Sequence, residues 1–474
     1  MYKYYIQKLR KIKRINKRLN FSFSEAIILS TFLTILLCKI LIFFLKLIGR
    51  GSSLPGKICL KLNPNILKHL TLPKKVICVT GSNGKTSTSE MIATVLSKSG
   101  RKVISNRRGS NQTEGVATLL LGNSTLKGKV RADAAVIETD ERYAEAIFEN
   151  ITPTALVITN ICRDQMTRNG EPFFVRDKLK TAVDKLPNKT KILVNGDDPI
   201  SMSLVFGRHN TVYFGADKTV LSSEKSDALY EDVVFCPICS APVKYSAYHY
   251  SHIGEFLCTK CDFRTADKKY NIVFADKDKK QIIINDTPLS VSFTGKYQAY
   301  NLCAAFAVGR ELSIAKSVLA DTLSDFSSDN GRRISFDADG KNATLLICKH
   351  ENSTAYNLNL EYAASQKNDI SVMIVIDRIS RKYYTAETSW LWDISFEPLS
   401  SGNIKNLYLS GKYAYDLAVR LKSTGIDKDK IHTLPDINET ADTAKADSSE
   451  GLIILTCFAD AENTLKAFGK KRRI

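Results

Sequence analysis

Nine residues of this chain, Thr80-Gly81-Ser82-Asn83-Gly84-Lys85-Thr86-Ser87-Thr88, have the types and spacing that hold a nucleoside triphosphate. Glycines expose backbone N–H groups, and a helix beginning beside them aims the positive end of its dipole at a phosphate. Lys85 supplies a charge for the β- and γ-phosphates and Thr86 a hydroxyl for Mg²⁺, while Gly81, Asn83, Gly84 and Ser87 complete the cradle. The strict G-x-x-x-x-G-K-[ST] pattern is not met, because Val79 stands where its first glycine belongs. A second constellation is Cys236-x-x-Cys239 and Cys258-x-x-Cys261, with 18 residues between the pairs. That spacing is the signature of a zinc ribbon, in which two thiolate knuckles close a tetrahedral site. Four thiolates leave no open coordination position, so a zinc there is structural. The aromatics between the pairs (Tyr245, Tyr248, Tyr250) sit among few charges, which favours a metal-braced insertion over stacking on nucleic acid.

The elements that must position these residues follow from the pattern around them. Val76 to Val79 reads as a buried strand before the loop, and Glu90 to Leu96 as a helix after it. Ala134 to Ile137 is a further strand ending at Glu138, where a carboxylate beside a phosphate loop can hold the metal. Ala155 to Thr159 ends in Asn160 and Arg163-Asp164-Gln165, and Lys191 to Val194 ends in Asn195-Gly196-Asp197-Asp198-Pro199. Strand after strand ending in polar residues is the doubly wound α/β pattern with its site on one sheet edge. Phe326 to Arg333 reads as a hinge, and beyond it new strands (Thr344 to Cys348, Ser371 to Ile376, Leu407 to Leu409, Leu452 to Thr456) predict a second, smaller α/β unit. The acidic stretch Asp436 to Glu450 reads as a solvated loop.

At 474 residues the chain has room for two or three domains. Its net charge of +19 is unevenly placed: residues 1–50 hold eleven Lys/Arg and a single acid, Glu25, so over half the excess belongs to a leader. That distribution argues against a nucleic-acid partner. The leader runs into Ala26 to Leu45, apolar except for Ser30, Thr31, Thr34 and Lys39. Its length fits a membrane span or an interfacial helix with the basic end at an anionic leaflet. A helix docked on the protein, with Lys39 and Lys46 on its wet face, is the alternative. A signal peptide is disfavoured, since the run is long and no small-residue cleavage site follows. Eleven cysteines, seven of them outside the two pairs and in apolar runs, indicate a reducing cytoplasm, not a disulfide framework.

Taken together, the T-G-x-x-G-K-T-x-T loop, Glu138, Asn160 to Asp164 and Gly295-Lys296-Tyr297-Gln298-Ala299-Tyr300-Asn301 resemble the Mur ligase family. Within it the chain is most similar to the MurT type. That likeness is carried by Leu54-Pro55-Gly56-Lys57-Ile58, by Arg163 to Glu171, by the four-cysteine ribbon, by Thr388-Ser389-Trp390-Leu391-Trp392-Asp393 and by Ser410 to Asp416. The similarity runs from about Leu54 to Gly425. It implies an α/β fold: a Mur ligase-like central P-loop ATPase domain over 51–325 with the zinc ribbon inserted at about 230–266, and a smaller Rossmann-like C-terminal α/β domain over 330–474. Residues 1–50 would be a membrane-associating leader that keeps the chain at the cytoplasmic face of a bacterial cell membrane.

The activity implied is ATP-dependent amidation of the D-glutamate α-carboxylate of lipid II through an acyl phosphate, in peptidoglycan synthesis. Ammonia would come from a GatD-type glutamine amidotransferase subunit. The resemblance further implies that Lys85 and Glu138 are catalytic, that Thr86 and Glu138 hold Mg²⁺, and that Asn301 meets adenine. Arg332 would reach the nucleotide on domain closure. Glu387 or Asp393 would complete the glutaminase's catalytic triad. Two departures stand out: His350-Glu351-Asn352-Ser353 replaces the family's N-P-x-G, and Ile376-Asp377-Arg378-Ile379-Ser380 replaces I-N-D-N-x-A-D-G, which points to a reshaped acceptor or partner surface. Alternatives are another Mur-type amide ligase that acts without a glutaminase, and a membrane-tethered scaffold with a degraded ATPase.

Overall fold

The computed structural model describes residues 23–47, 52–106, 110–219, 222–276, 279–291, 296–324, 326, 333–379 and 386–471. Arg332, Gly295 and most of the expected hinge lie outside the described residues. Strands in chain order are β1 (Lys75–Thr80), β2 (Val103–Ser105), β3 (Ala134–Glu138), β4 (Ala155–Ile158), β5 (Lys191–Asn195) and β6 (Thr211–Ala216). They are followed by β7 (Val243–Tyr250), β8 (Ile253–Cys258), β9 (Tyr270–Asp276), β10 (Gln281–Ile284) and β11 (Thr287–Ser290). The second half adds β12 (Arg333–Ala338), β13 (Lys341–Ile347), β14 (Ile370–Val375), β15 (Ile404–Ser410), β16 (Ile431–Thr433) and β17 (Gly451–Thr456).

Nine strands form the first sheet in the order β11-β10-β9-β6-β5-β4-β1-β3-β2. It is parallel from β2 to β9 and antiparallel at the β9-β10-β11 end. Because side chains alternate along a strand, Ile77 and Val79 enter one core and Val76 and Cys78 the other. Helices Lys85–Lys98 and Lys296–Glu311 cover the first face; Thr113–Gly122 and Pro172–Asp184 cover the second. β1 sits inside the sheet with β4 and β3 on either side, so the loop that follows it opens on the sheet's carboxyl edge between strand ends.

The second sheet has the order β12-β13-β17-β14-β15-β16 and is parallel except for the β12–β13 pair. Val372 and Ile374 face one of its cores, Met373 and Val375 the other. The acidic stretch expected to be a loop is instead a helix, Ile437–Ala446. Asp436 caps it by accepting the N–H of Asn438 and Glu439 at 2.8 and 2.9 Å, and Thr440, Ala441 and Ala444 recur at helical spacing to bury one face. β7 and β8 make a separate antiparallel hairpin with both cysteine pairs at its open end. The 25-residue helix Phe23–Leu47 packs against helices Leu54–Leu62 and Thr113–Gly122.

Candidate functional site

The phosphate loop keeps its shape because two glycines adopt backbone angles closed to other residues and stand in tight places. Gly81 has φ 127° and Gly84 φ 83°. A Cβ on Gly84 would lie 2.0 Å from Asn301 Oδ1, and one on Gly81 2.2 Å from Thr159 Oγ1. Neighbouring strand ends hold the loop in place: Ser82 N–H donates to the Asn160 carbonyl at 2.7 Å and Asn83 N–H to Asn160 Oδ1 at 2.9 Å. Lys85 opens the helix and is buried. Its ammonium donates to the carbonyls of Gly81 and Ser82 and to Glu141 Oε1, the last at 2.6 Å. Burial works against that charge, but the facing Glu141 and Asp164 carboxylates outweigh it and hold the Lys85 pKa above the ordinary lysine value. Thr86 Oγ1 donates to Glu138 Oε2 at 2.9 Å, and Asn111 Nδ2 donates to the other Glu138 oxygen, also at 2.9 Å.

A cavity of about 340 Å³ opens above the loop, and its far wall belongs to the C-terminal domain through Lys349, Asn352, Ile379 and Cys457. Asp164 joins the two walls. Lys349 Nζ donates to Asp164 Oδ2 at 2.6 Å, while Asn352 Nδ2 donates to Asp164 Oδ1 at 2.9 Å and Asn83 Oδ1 at 2.7 Å. Burial raises the Asp164 carboxyl, but Lys349 and Lys85 more than reverse this and leave it below the ordinary carboxylate value. Glu351 adds a second clasp, accepting from Thr167 Oγ1 at 2.6 and 2.8 Å. Glu351 and Asn352, within the segment expected to reshape an acceptor or partner surface, thus join the two domains over the loop. Substituting Asn352 by alanine is expected to lower kcat for ATP turnover roughly tenfold to a hundredfold through misplaced domains. Steady-state ADP release with melting curves checks this; an unchanged kcat would remove the clasp from the account.

Asn301 lies elsewhere than a residue lining the nucleotide's open side. It is buried beneath Gly84 and does not line the cavity. Its Nδ2 and that of Asn83 are buried donors with no hydrogen-bond partner. These two donors, the glycine cradle and the Thr86–Glu138 pair are the donor set that a Mg²⁺-nucleotide fits. Asn111, Glu141, Lys349 and Asn352 carry no motif of their own and come from three connections, after β2, β3 and β13. The expected triad acids part company. Asp393 pairs with Arg163 at 3.1 Å across the domain boundary, and burial raises its carboxyl. Glu387 is exposed, with Oε1 accepting the Ser389 N–H at 2.8 Å. Trp390 is buried, its ring stacked 5.3 Å from His350, whereas Trp392 is 48% exposed.

The four ribbon cysteines converge. Cys236 and Cys261 Sγ are 3.7 Å apart, and Cys239 and Cys258 Sγ 3.4 Å. A tetrahedral zinc with Zn–S near 2.3 Å requires S···S of about 3.8 Å, so the set fits that ion. The Cys261 and Lys260 N–H groups donate to Cys258 Sγ and hold its thiol down at about 6. At the hairpin's other end His252 is buried between Asp198 (3.2 Å) and Asp232 (3.7 Å). Burial disfavours its charge, but these carboxylates prevail and raise it to about 9. Asp232 also accepts from Arg163 at 2.6 Å, so the ribbon's base reaches the residue that pairs with Asp393.

Comparison with known proteins agrees with this geometry. Residues 79–309 match the Mur ligase middle domain and residues 350–460 the MurT ligase C-terminal domain. The MurT subunit of lipid II isoglutaminyl synthase (glutamine-hydrolyzing) from Staphylococcus aureus is 30% identical over 381 residues, 80% of this chain and 84% of that protein. The chain belongs to the Mur ligase family, as a MurT-type member. The corresponding subunit of Streptococcus pneumoniae is 28% identical to this MurT-type chain over 420 residues, 88% of it and 92% of the relative. A pseudomurein peptide ligase type C from Methanothermus fervidus shares the fold with TM-score 0.64 at 21% identity, covering 86% of this chain and 80% of that one. MurF ligase from Thermotoga maritima, solved with ADP, superimposes with TM-score 0.56 at 17% identity, over 87% and 83% of the two chains. Mur ligases use ATP and Mg²⁺, as the loop and Glu138 require.

Proposed function

We propose that this chain is the synthetase subunit of a lipid II isoglutaminyl synthase. It is an ATP-dependent carbon–nitrogen ligase of peptidoglycan synthesis, converting the D-glutamate α-carboxylate of lipid II to D-isoglutamine. The observation that carries this reading is the loop cavity closed by a MurT-type C-terminal domain, with Asp164, Asn352 and Lys349 as the clasp. In the first half-reaction a carboxylate oxygen attacks the γ-phosphorus of ATP and ADP leaves, giving an acyl phosphate. In the second, ammonia attacks the acyl carbon and inorganic phosphate departs. Lys85 lies where charge develops on the γ-phosphoryl oxygens once it exchanges Glu141 for phosphate. Thr86 and Glu138 hold Mg²⁺, which when bound neutralises the same charge. Asn301 supports the loop from behind, against Gly84, and an adenine contact through its unpaired amide would require the loop to move. Arg332 closing on the nucleotide remains part of this reading.

The partner is a GatD-type glutamine amidotransferase that supplies ammonia. Of the two acids considered for its triad, Glu387 is the one that can reach a partner's histidine, because Asp393 is engaged by Arg163. Changing Glu387 to alanine is expected to abolish glutamine-driven amidation while leaving amidation with added ammonium within about twofold. Paired assays with the two nitrogen donors check this, and equal loss in both would remove Glu387 from that role. Cys236, Cys239, Cys258 and Cys261 hold a structural zinc.

A further inference from the structure

The helix Phe23–Leu47 reverses the usual amphipathic arrangement. In a soluble protein the apolar stripe faces the body and the polar one faces water. Here the mid-helix polar side chains bond to the protein or are buried against it: Thr31 and Thr34 are buried, Ser30 Oγ accepts from Asn63 Nδ2 at 3.1 Å, and Lys39 Nζ donates to the Gly122 carbonyl at 2.8 Å, while Glu25 and Lys46, in the end turns, are exposed. Lys39, expected on a wet face, instead satisfies the carboxyl end of helix Thr113–Gly122, where a cation complements the dipole. Ile35 and Cys38 complete the docked stripe. Gly122 allows the close approach, since a Cβ there would lie 2.8 Å from Ile42 Cδ1. The outward side, by contrast, is mainly apolar: Ile28, Leu29, Phe32, Leu33, Leu36, Ile40, then Phe43 at 65% and Leu47 at 73% exposure, with the charge of Lys46 beside its end. Leu54 and Leu62 of the next helix are exposed as well.

We propose that this outward side is a membrane-docking surface and that its occupant is an anionic lipid leaflet, the helix lying in the interface plane instead of crossing the bilayer. Two observations select this occupant. The segment ahead of the helix, residues 1–22, carries eight Lys/Arg and no Asp or Glu, a charge complement for anionic headgroups and not for a hydrophobic protein groove. Crossing would strip Lys39 from its carbonyl partner and uncover Ile35, Cys38 and Cys59, whereas lying flat keeps the docked face and covers only the exposed one. Twenty-five residues give a stripe about 37 Å long. Helix Thr113–Gly122, which receives Lys39 at its end, begins beside Asn111 and Gln112 of the cavity lining. The anchor therefore stands one helix length, about 15 Å, from the site. This rests on the proposed function only in that a lipid-borne acceptor would profit from it.

The test is flotation of the purified full chain with preformed vesicles of phosphatidylglycerol and phosphatidylcholine, or of phosphatidylcholine alone. Binding is expected on the anionic vesicles, at least tenfold weaker on the neutral ones, and lost in the Leu36→Glu/Phe43→Glu variant. Nucleotide binding measured without vesicles should stay unchanged in that variant, which separates this surface from the ligase reading. A cysteine placed by Lys13→Cys should react fully with a membrane-impermeant maleimide added outside. Protection of that cysteine would show a span and overturn the proposal. So would equal binding by the variant, or a vesicle-independent dimer that the same substitutions dissociate.

Discussion

Replacing Lys85 by alanine is expected to reduce ATP-dependent amidation by at least roughly 10²–10³-fold, the loss typical of removing one preorganised charge-stabilising donor. The same change has a second consequence, because Lys85 is the buried partner of Glu141 at 2.6 Å. An uncompensated buried carboxylate costs about 3–5 kcal/mol, so a lowered melting temperature would accompany the lost activity. The two effects separate in the double variant Lys85→Met/Glu141→Gln, which removes both charges. It should regain most of the stability and none of the activity. Activity retained by Lys85→Ala would favour the scaffold reading, in which the loop is a relic.

Removing the ribbon metal is expected to have the largest effect on stability. Cys258→Ser, or chelation of the full chain, should release one zinc per chain and lower the melting temperature by at least about 10 °C. The reason is that a small hairpin has little core of its own. Cys236 and Cys258 are themselves part of the cluster with Met202, Phe256 and Phe263. When the knuckles open, His252 leaves its place between Asp198 and Asp232, and the Asp232–Arg163–Asp393 chain to the C-terminal domain loses its anchor. Metal analysis with calorimetry checks both parts. A chain with no zinc and an unchanged melting curve would refute the ribbon's structural role.

What the sequence reveals here depends on how local each feature is. The loop from Gly81 to Thr86 and the paired cysteines are short-range patterns whose chemistry is set by neighbours in the chain, so both are legible before any fold is known. Glu138 is legible as well, because a carboxylate at the end of a buried strand has a short list of purposes. Glu141 as the partner of Lys85 is not, although it lies three residues further on: only the turn after β3 aims it at the lysine. Asn111, Lys349 and Asn352 are less legible still. Lys349 and Asn352 reach the site from the second sheet, nearly two hundred residues from Asp164, and no periodicity signals a contact of that kind. Asp436 reads as part of a charged loop because its acidic neighbours outweigh the capping position it occupies. Lys39 misleads for a similar reason: charge suggests water, whereas a helix end offers it a carbonyl.

The central claim, that this cavity activates a carboxylate for amide formation, is tested most directly by following the oxygen. Lipid II carrying a heavy-oxygen label in its D-glutamate α-carboxylate would be incubated with ATP, Mg²⁺, glutamine, this chain and its glutaminase subunit. ADP is expected as the nucleotide product, with one labelled oxygen in the inorganic phosphate for each amide formed. Unlabelled phosphate alongside amide, or AMP in place of ADP, would contradict it.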